Sequence, residues 1–206
     1  MKTRGNLIVF EGPDGVGKTT LAKALTTSFQ QAGNDCLYYA FPGRMEGTLG
    51  HLVYQLHHRP AELGVAEISP ASLQMLHVAA HIDAIDRVIL PTLDSGSHVI
   101  LDRFWWSTWV YGIADDLDTH LLNAMLAVEA ARWQGQCPHT AFLIARAEPL
   151  RWEHERGTWD KLCQLYERVS REQKHTHPVY RIMNEGTVDE ALTSIKDYLV
   201  VNRQEA

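Results

Sequence analysis

Short apolar runs alternate with longer stretches of helical periodicity along this 206-residue sequence, and the pattern Gly12-x4-Gly17-Lys18-Thr19 joins the first run to the first helix. These two observations predict an α/β, doubly wound three-layer fold: a five-stranded parallel sheet with helices on both faces. Strands are expected near 6–11, 36–41, 97–102, 139–145 and 179–183. Each is short and apolar, as a strand covered on both faces must be. Helices are expected over 17–32, 48–58, 70–90, 116–133, 147–156, 159–173 and 187–201. Leu21, Ala22, Ala24 and Leu25 give the first its apolar spacing, and Gly33-Asn34 closes it. Ser69-Pro70 opens the third as N-cap and first helical residue. Thr187 and Glu190 form a capping box before the last. Without linker, repeat or low-complexity segment, residues 1–206 read as a single domain.

The first strand–helix junction carries the chemistry. Residues 7–20 read LIVFEGPDGVGKTT, a phosphate-binding loop in its proper strand–loop–helix context. Its glycines let backbone N–H groups close around phosphate oxygens, and the helix N-terminus favours negative charge. Gly12, Asp14, Gly15, Val16, Gly17, Lys18, Thr19 and Thr20 are therefore candidate phosphate-binding residues. Lys18 is placed for the β- and γ-phosphates of a nucleoside triphosphate, and the Thr19 hydroxyl for Mg²⁺. A P-loop enzyme also needs a carboxylate near that ion, and the strand SHVIL ends in Asp102. Asp102 and Thr19 are thus the candidate metal ligands, with ATP and Mg²⁺ as donor and cofactor. The fold class becomes the P-loop NTPase type.

Composition narrows the partners. A net charge of −6 leaves no basic stripe to displace counterions, which argues against a general nucleic-acid binder. No apolar run reaches the ~18 residues of a membrane span. The chain enters a strand without a signal-peptide core, so a cytoplasmic protein is expected. Cys36, Cys137 and Cys163 are odd in number and widely spaced, and are expected as buried thiols of a reducing compartment.

Two more strand ends complete the pattern: Phe41-Pro42-Gly43-Arg44, and Asp102-Arg103-Phe104 followed by Ser107, Thr108, Tyr111 and Gly112. The combination of GPDGVGKTT, FPGR and DRFWWSTWVYG resembles the thymidylate kinases, from the first strand to about residue 115. The resemblance implies an ATP-dependent kinase of a pyrimidine deoxynucleoside monophosphate, usually a homodimer built through helices that include the one bearing His77. Asp14 matches the family acid that meets the acceptor's 3′-hydroxyl. Arg103 matches the residue that grips the acceptor phosphate, and Arg44 lies where a second phosphate contact is expected. Tyr111 lies where a ring packs below the sugar and crowds a ribose 2′-hydroxyl; Ser107 and Thr108 fall in the base-facing segment. Phe41 belongs to the same acceptor site. Gly15 sits where some members carry an arginine, and members with glycine there take that charge from a mobile lid.

The chain departs from the family in two places. Where the family presents a phenylalanine to stack on thymine and, four residues later, an arginine to bond O4, this chain has His77 and His81. Four residues apart, they share a helix face. Neutral histidine offers an acceptor as well as a donor, so the base is thymine, a cytosine or a 5-modified pyrimidine. The spacing also fits a zinc half-site, but no third ligand stands at motif spacing. Trp105, Trp106 and Trp109 crowd the facing segment, as a reshaped base pocket, core or dimer interface. The remaining histidines, His57-His58 and His175/His177 among them, read as solvated surface. The second departure is a short lid, within about 147–162, where Arg151 and Arg156 are the candidates to neutralise transition-state charge. Catalysis is thereby assigned to Lys18, Asp102, Arg103 and one of Arg151 and Arg156, and the adenine-contacting loop is placed at 184–187 by position.

Two other readings stand beside this one. A kinase of nucleosides or other hydroxyl compounds needs a carboxylate base, for which Glu11 or Asp102 would serve. A non-catalytic nucleotide-binding module would use the loop alone.

Overall fold

The structure, a computed structural model, describes residues 3–133 and 135–205. Strands β1 (Leu7–Glu11), β2 (Cys36–Ala40), β3 (His98–Asp102), β4 (Thr140–Ala145) and β5 (Val179–Met183) form one sheet in the order β2-β3-β1-β4-β5. All neighbouring pairs are parallel. The expected five-stranded parallel sheet is present. Because the chain leaves β1 in one direction and returns to its other side, the strand order switches beside β1, where ligands of such sheets bind. The register sets Phe10 opposite Asp102 and Glu11 opposite Leu143, which brings the phosphate loop beside the end of β3.

Alternation along β1 feeds two cores. Leu7 and Val9 point to the side covered by α3 (Pro70–Ala84), α5 (Trp105–Ala114), α6 (Thr119–Trp133) and much of α7 (Arg156–Gln173). Ile8 and Phe10 point to the side covered by α1 (Lys18–Gln31) and α8 (Val188–Glu205). Both faces being buried explains why the strands read as continuous apolar runs. The expected caps form as well. The Ser69 hydroxyl accepts the Ser72 N–H at 3.2 Å, and Thr187 and Glu190 exchange the two bonds of a capping box, at 2.8 and 3.3 Å.

Four features differ from expectation. α5 was not foreseen, because WWSTWVYGIA is buried nearly all round and shows no apolar face against a polar one. Residues 147–155, expected as a helix through 156, form none, and α7 begins only at Arg156. The segment lies against the phosphate loop, and the Leu150 N–H is spent on the Gly15 carbonyl at 2.8 Å rather than on a helical partner. The third helix does not stop before Pro91. A π-helical turn at Ile85–Ile89, with the Leu90 N–H bonded to the Ile85 carbonyl, carries it into α4 (Leu90–Asp94). The wider turn lets a proline follow without breaking the helix. The thiols are not uniformly buried: Cys36 and Cys163 are half-buried, with burial pushing both up to about 11, while Cys137 is exposed. No described helix is long and apolar enough to cross a membrane.

Candidate active site

β1 ends at Glu11 and the loop turns at Gly12, where a Cβ would stand 2.3 Å from the Ile144 carbonyl oxygen of β4. Only glycine lets the loop lie that close to the sheet. Gly17, in a left-handed conformation, leads into α1, whose first turn has no side-chain cap. Its free N–H groups suit an anion. Val16 is buried, and Thr19 and Thr20 are exposed on that first turn. Lys18 is buried, with Nζ donating to the Pro13 carbonyl at 2.6 Å. Burial, joined by the nearby Arg103 charge, pulls its pKa down to about 8.

Across the crevice, Thr19 Oγ1 donates to Asp102 Oδ2 at 2.5 Å, and the Tyr38 hydroxyl donates to the same oxygen at 3.1 Å. The other oxygen, Asp102 Oδ1, is buried without a hydrogen-bond partner. A buried carboxylate oxygen beside a threonine hydroxyl is a donor set for a hard divalent cation, and Mg²⁺ fits it. No group of three or more His, Cys, Asp or Glu among the described residues is arranged to hold a metal.

The next cluster is centred on Asp14. Its carboxylate accepts from the Arg103 guanidinium and the Tyr111 hydroxyl, and His154 Nε2 stands 3.8 Å away. Burial acts to raise the Asp14 pKa, but the charges of Arg103 and Lys18 outweigh it and hold the carboxyl well below its usual range. Arg103 sits between β3 and α5 at φ 73°, a left-handed conformation that a non-glycine residue adopts under strain. Its guanidinium also donates to Ser107 Oγ at 3.2 Å. Tyr111 remains protonated, its pKa raised by burial.

A wall of rings adjoins this cluster. Phe41 is buried and stacks on His81, centroids 4.0 Å apart and planes 11° apart. His81 Nδ1 bonds Glu129 Oε2 of α6 at 2.9 Å, both side chains being buried. Glu129 accepts there and also from Trp133 Nε1 at 3.4 Å, so Nδ1 carries the proton and Nε2 is the remaining nitrogen. His77 Nε2 lies 3.1 Å from His57 Nδ1 of α2 (Leu49–His58). Burial above all pulls His77 down to about 2, so it is neutral at ordinary pH. Arg44 is exposed at the end of the FPGR loop, its guanidinium 4.7 Å from the Tyr54 ring centre.

The structure brings Lys18, Thr19, Asp102, Asp14, Arg103, Ser107 and Tyr111 together at the carboxyl ends of β1 and β3. It sets Arg151 and Arg156 apart. Both point outward, Arg151 paired with Glu153 and Arg156 with Glu148. Thr108 is buried, as is Trp109, and Trp106 is fully enclosed; the last two belong to the core. His177 is likewise buried, against Trp106, rather than solvated. Asn184 bonds the Val16 carbonyl at 2.8 Å, placing the loop before α8 against the phosphate loop. Sequence reasoning gave no site role to His57, Glu129, Tyr38 or His154. None lies in a motif, and only chain folding from 20 or more residues away brings each to its partner.

A family model described as thymidylate kinase matches residues 10–192. The chain belongs to the thymidylate kinase family. It is 33% identical over 206 aligned positions to a probable thymidylate kinase of Pyrococcus horikoshii, covering 94% of this chain and 92% of that protein. A thymidylate kinase of Pelotomaculum thermopropionicum is 28% identical over 98% of this chain and 88% of its own length. The solved thymidylate kinase of Ehrlichia chaffeensis has the same fold, with a TM-score of 0.78 over 95% of this chain and 99% of that one at 19% identity. As a thymidylate kinase family member, the chain is a nucleoside monophosphate kinase, a phosphotransferase.

Proposed function

We propose that the protein transfers the γ-phosphoryl group of ATP to the 5′-phosphate of a pyrimidine deoxynucleoside monophosphate. The observation that carries this is the convergence of Lys18 and Arg103, two cations from separate strand ends, on Asp14 in one crevice. Two polyanions must meet there, and each needs its own cation. An ionised oxygen of the acceptor phosphate attacks the γ-phosphorus. The bond from that phosphorus to the β-bridging oxygen breaks, and ADP leaves with the bond's electrons. No general base is required, because the nucleophile is already ionised. Lys18 and the loop N–H groups hold the donor, with Val16 and Thr20 lining it. Arg103 holds the acceptor phosphate, assisted by Arg44. Asp14 receives the sugar hydroxyl, and Tyr111 disfavours a ribose. When bound between Thr19 and Asp102, Mg²⁺ neutralises the charge shared by the phosphates.

Membership of the family makes thymidylate the first acceptor to test. A second reading is favoured by one observation. His81, proton on Nδ1 toward Glu129, offers Nε2 to the base. In the neutral ring that nitrogen is an acceptor and matches an amine at C4, so cytosine-type and 5-modified bases belong beside thymine. Phe41, His77, Ser107 and Thr108 shape the same pocket. One of Arg151 and Arg156 serves the transferred group after leaving its surface glutamate, as the lid closes. A homodimer would cover the exposed apolar side chains of Met75 on α3 and of Leu121 and Val128 on α6.

The test is ADP release from ATP with a panel of acceptors: thymidylate, deoxycytidylate, 5-methyldeoxycytidylate, deoxyuridylate, purine monophosphates and free nucleosides. Pyrimidine deoxynucleotides are expected to be used far faster than the rest. Turnover of nucleosides alone, or ATP binding without acceptor-dependent ADP release, overturns the proposal. Thymidylate outpacing every other pyrimidine overturns the second reading.

A further inference from the structure

Glu11 closes β1 directly before the phosphate loop, yet the transfer itself makes no use of it. Its side chain is fully buried, and no described cation lies within ion-pair distance. Such a carboxylate is rare in a core. Oε1 accepts the backbone N–H groups of Phe104 at 2.7 Å and Ser107 at 3.0 Å, and Oε2 faces the Ser107 hydroxyl at 2.8 Å. Glu11 therefore caps α5 from another element, at an N-terminus where Phe104 has no polar side chain to offer.

Ser107 Oγ is the hub of the hydrogen bonds around Arg103. A hydroxyl has one proton and two lone pairs. An ionised carboxylate can only accept, so with Glu11 ionised the Ser107 proton points at it. The two lone pairs are then free for the Arg103 guanidinium at 3.2 Å and the Tyr166 hydroxyl at 2.9 Å. Glu11 thus decides which way the Ser107 hydroxyl points, and with it the Ser107–Tyr166 bond. Arg103 needs such support, because its strained backbone leaves the long side chain to be placed by its contacts.

We propose that Glu11 is the positioning residue of the acceptor arginine, fixing through Ser107 the hydrogen bond that orients the Arg103 guanidinium. This rests on Arg103 being the acceptor-phosphate ligand. The carboxylate is a costly choice for the fold itself. Burial pushes Glu11 up to about 7, against the lowering charge of Arg103, the Ser107 and Phe104 hydrogen bonds and the charge of Lys18. Tyr166 also faces it, from α7. An acid whose folded pKa is raised costs stability as pH climbs from its unfolded range through the folded value. A residue that served the fold alone would be better as an amide.

Glu11→Gln is the test. Glutamine keeps a carbonyl for the cap but sets an amino group against Ser107, so that three donors compete for two lone pairs. The acceptor KM is expected to rise about tenfold or more while the ATP KM stays within about twofold. Ser107→Ala should give the same acceptor signature, and the double variant should be no worse than the worse single one. The melting temperature of Glu11→Gln should exceed that of the parent, by more at about pH 8.5 than at about pH 5. An acceptor KM within twofold of the parent, additive effects, or equal losses for ATP and acceptor overturn the role of Glu11. Should the glutamine variant not fold, the acceptor-specific effect of Ser107→Ala decides: its absence overturns the proposal. If the parent phosphorylates no monophosphate, it is the proposed function that fails.

Discussion

The donor half and the acceptor half of this crevice are built by different means. The proposed donor half comes from one contiguous stretch, Gly12–Thr19, which would act mostly through its backbone, with Asp102 delivered by the adjacent strand. The proposed acceptor half is assembled from side chains of the phosphate loop, α2, α3, α5, α6, the turn after β3 and the segment after β4, over sequence separations of 20 to 140 residues. A backbone cradle recognises phosphate, which every donor shares. A base and sugar must be told apart, and that requires side chains that can change one at a time. On the proposed function, specificity therefore resides in the half that is dispersed.

Lys18→Ala breaks the contiguous half and has the largest expected effect. Turnover should fall by about 10³-fold, because the β/γ charge loses its buried partner. An initial-rate assay showing less than tenfold loss would remove Lys18 from the chemistry. Replacing His77 by Phe together with His81 by Arg sharpens the contrast. It should leave the ATP KM unchanged and shift preference toward thymidylate by about tenfold, since an arginine only donates where a histidine also accepts. Equal kcat/KM ratios before and after would separate these residues from the base. The smallest effect belongs to the lid. Of Arg151→Ala and Arg156→Ala, one should lower kcat by about tenfold and the other leave it within about twofold, as only one swings inward. Single-turnover rates of both variants check this, and two unaffected rates would leave the lid without a catalytic arginine.

The same division explains what could be read from the sequence. The five strands and the phosphate loop were legible because their signals are local: apolar runs covered on both faces, and glycines at fixed spacing. α5 was not, because burial on all sides erases the helical contrast between faces. A helix is expected over 147–156, yet up to residue 155 none forms, and the Leu150 N–H is claimed by Gly15, a partner 135 positions away. The His81–Glu129 pair shows the limit most plainly. His81 could be flagged from its place on the helix, but the carboxylate that fixes its proton sits 48 residues on, in a helix with no motif at all. Likewise His177 read as surface, and only packing against Trp106 reveals it as interior.

Gly15 ties the two halves together. A Cβ there would come 2.7 Å from the Arg151 carbonyl oxygen and 2.8 Å from Pro149 Cβ. The missing methyl is thus the seat on which the segment after β4 rests. Any bulkier residue would lift that segment off and change how far its arginines would travel in the proposed closure. Position 15 and the segment 149–151 can therefore only evolve in step, though nothing in their order along the chain says so.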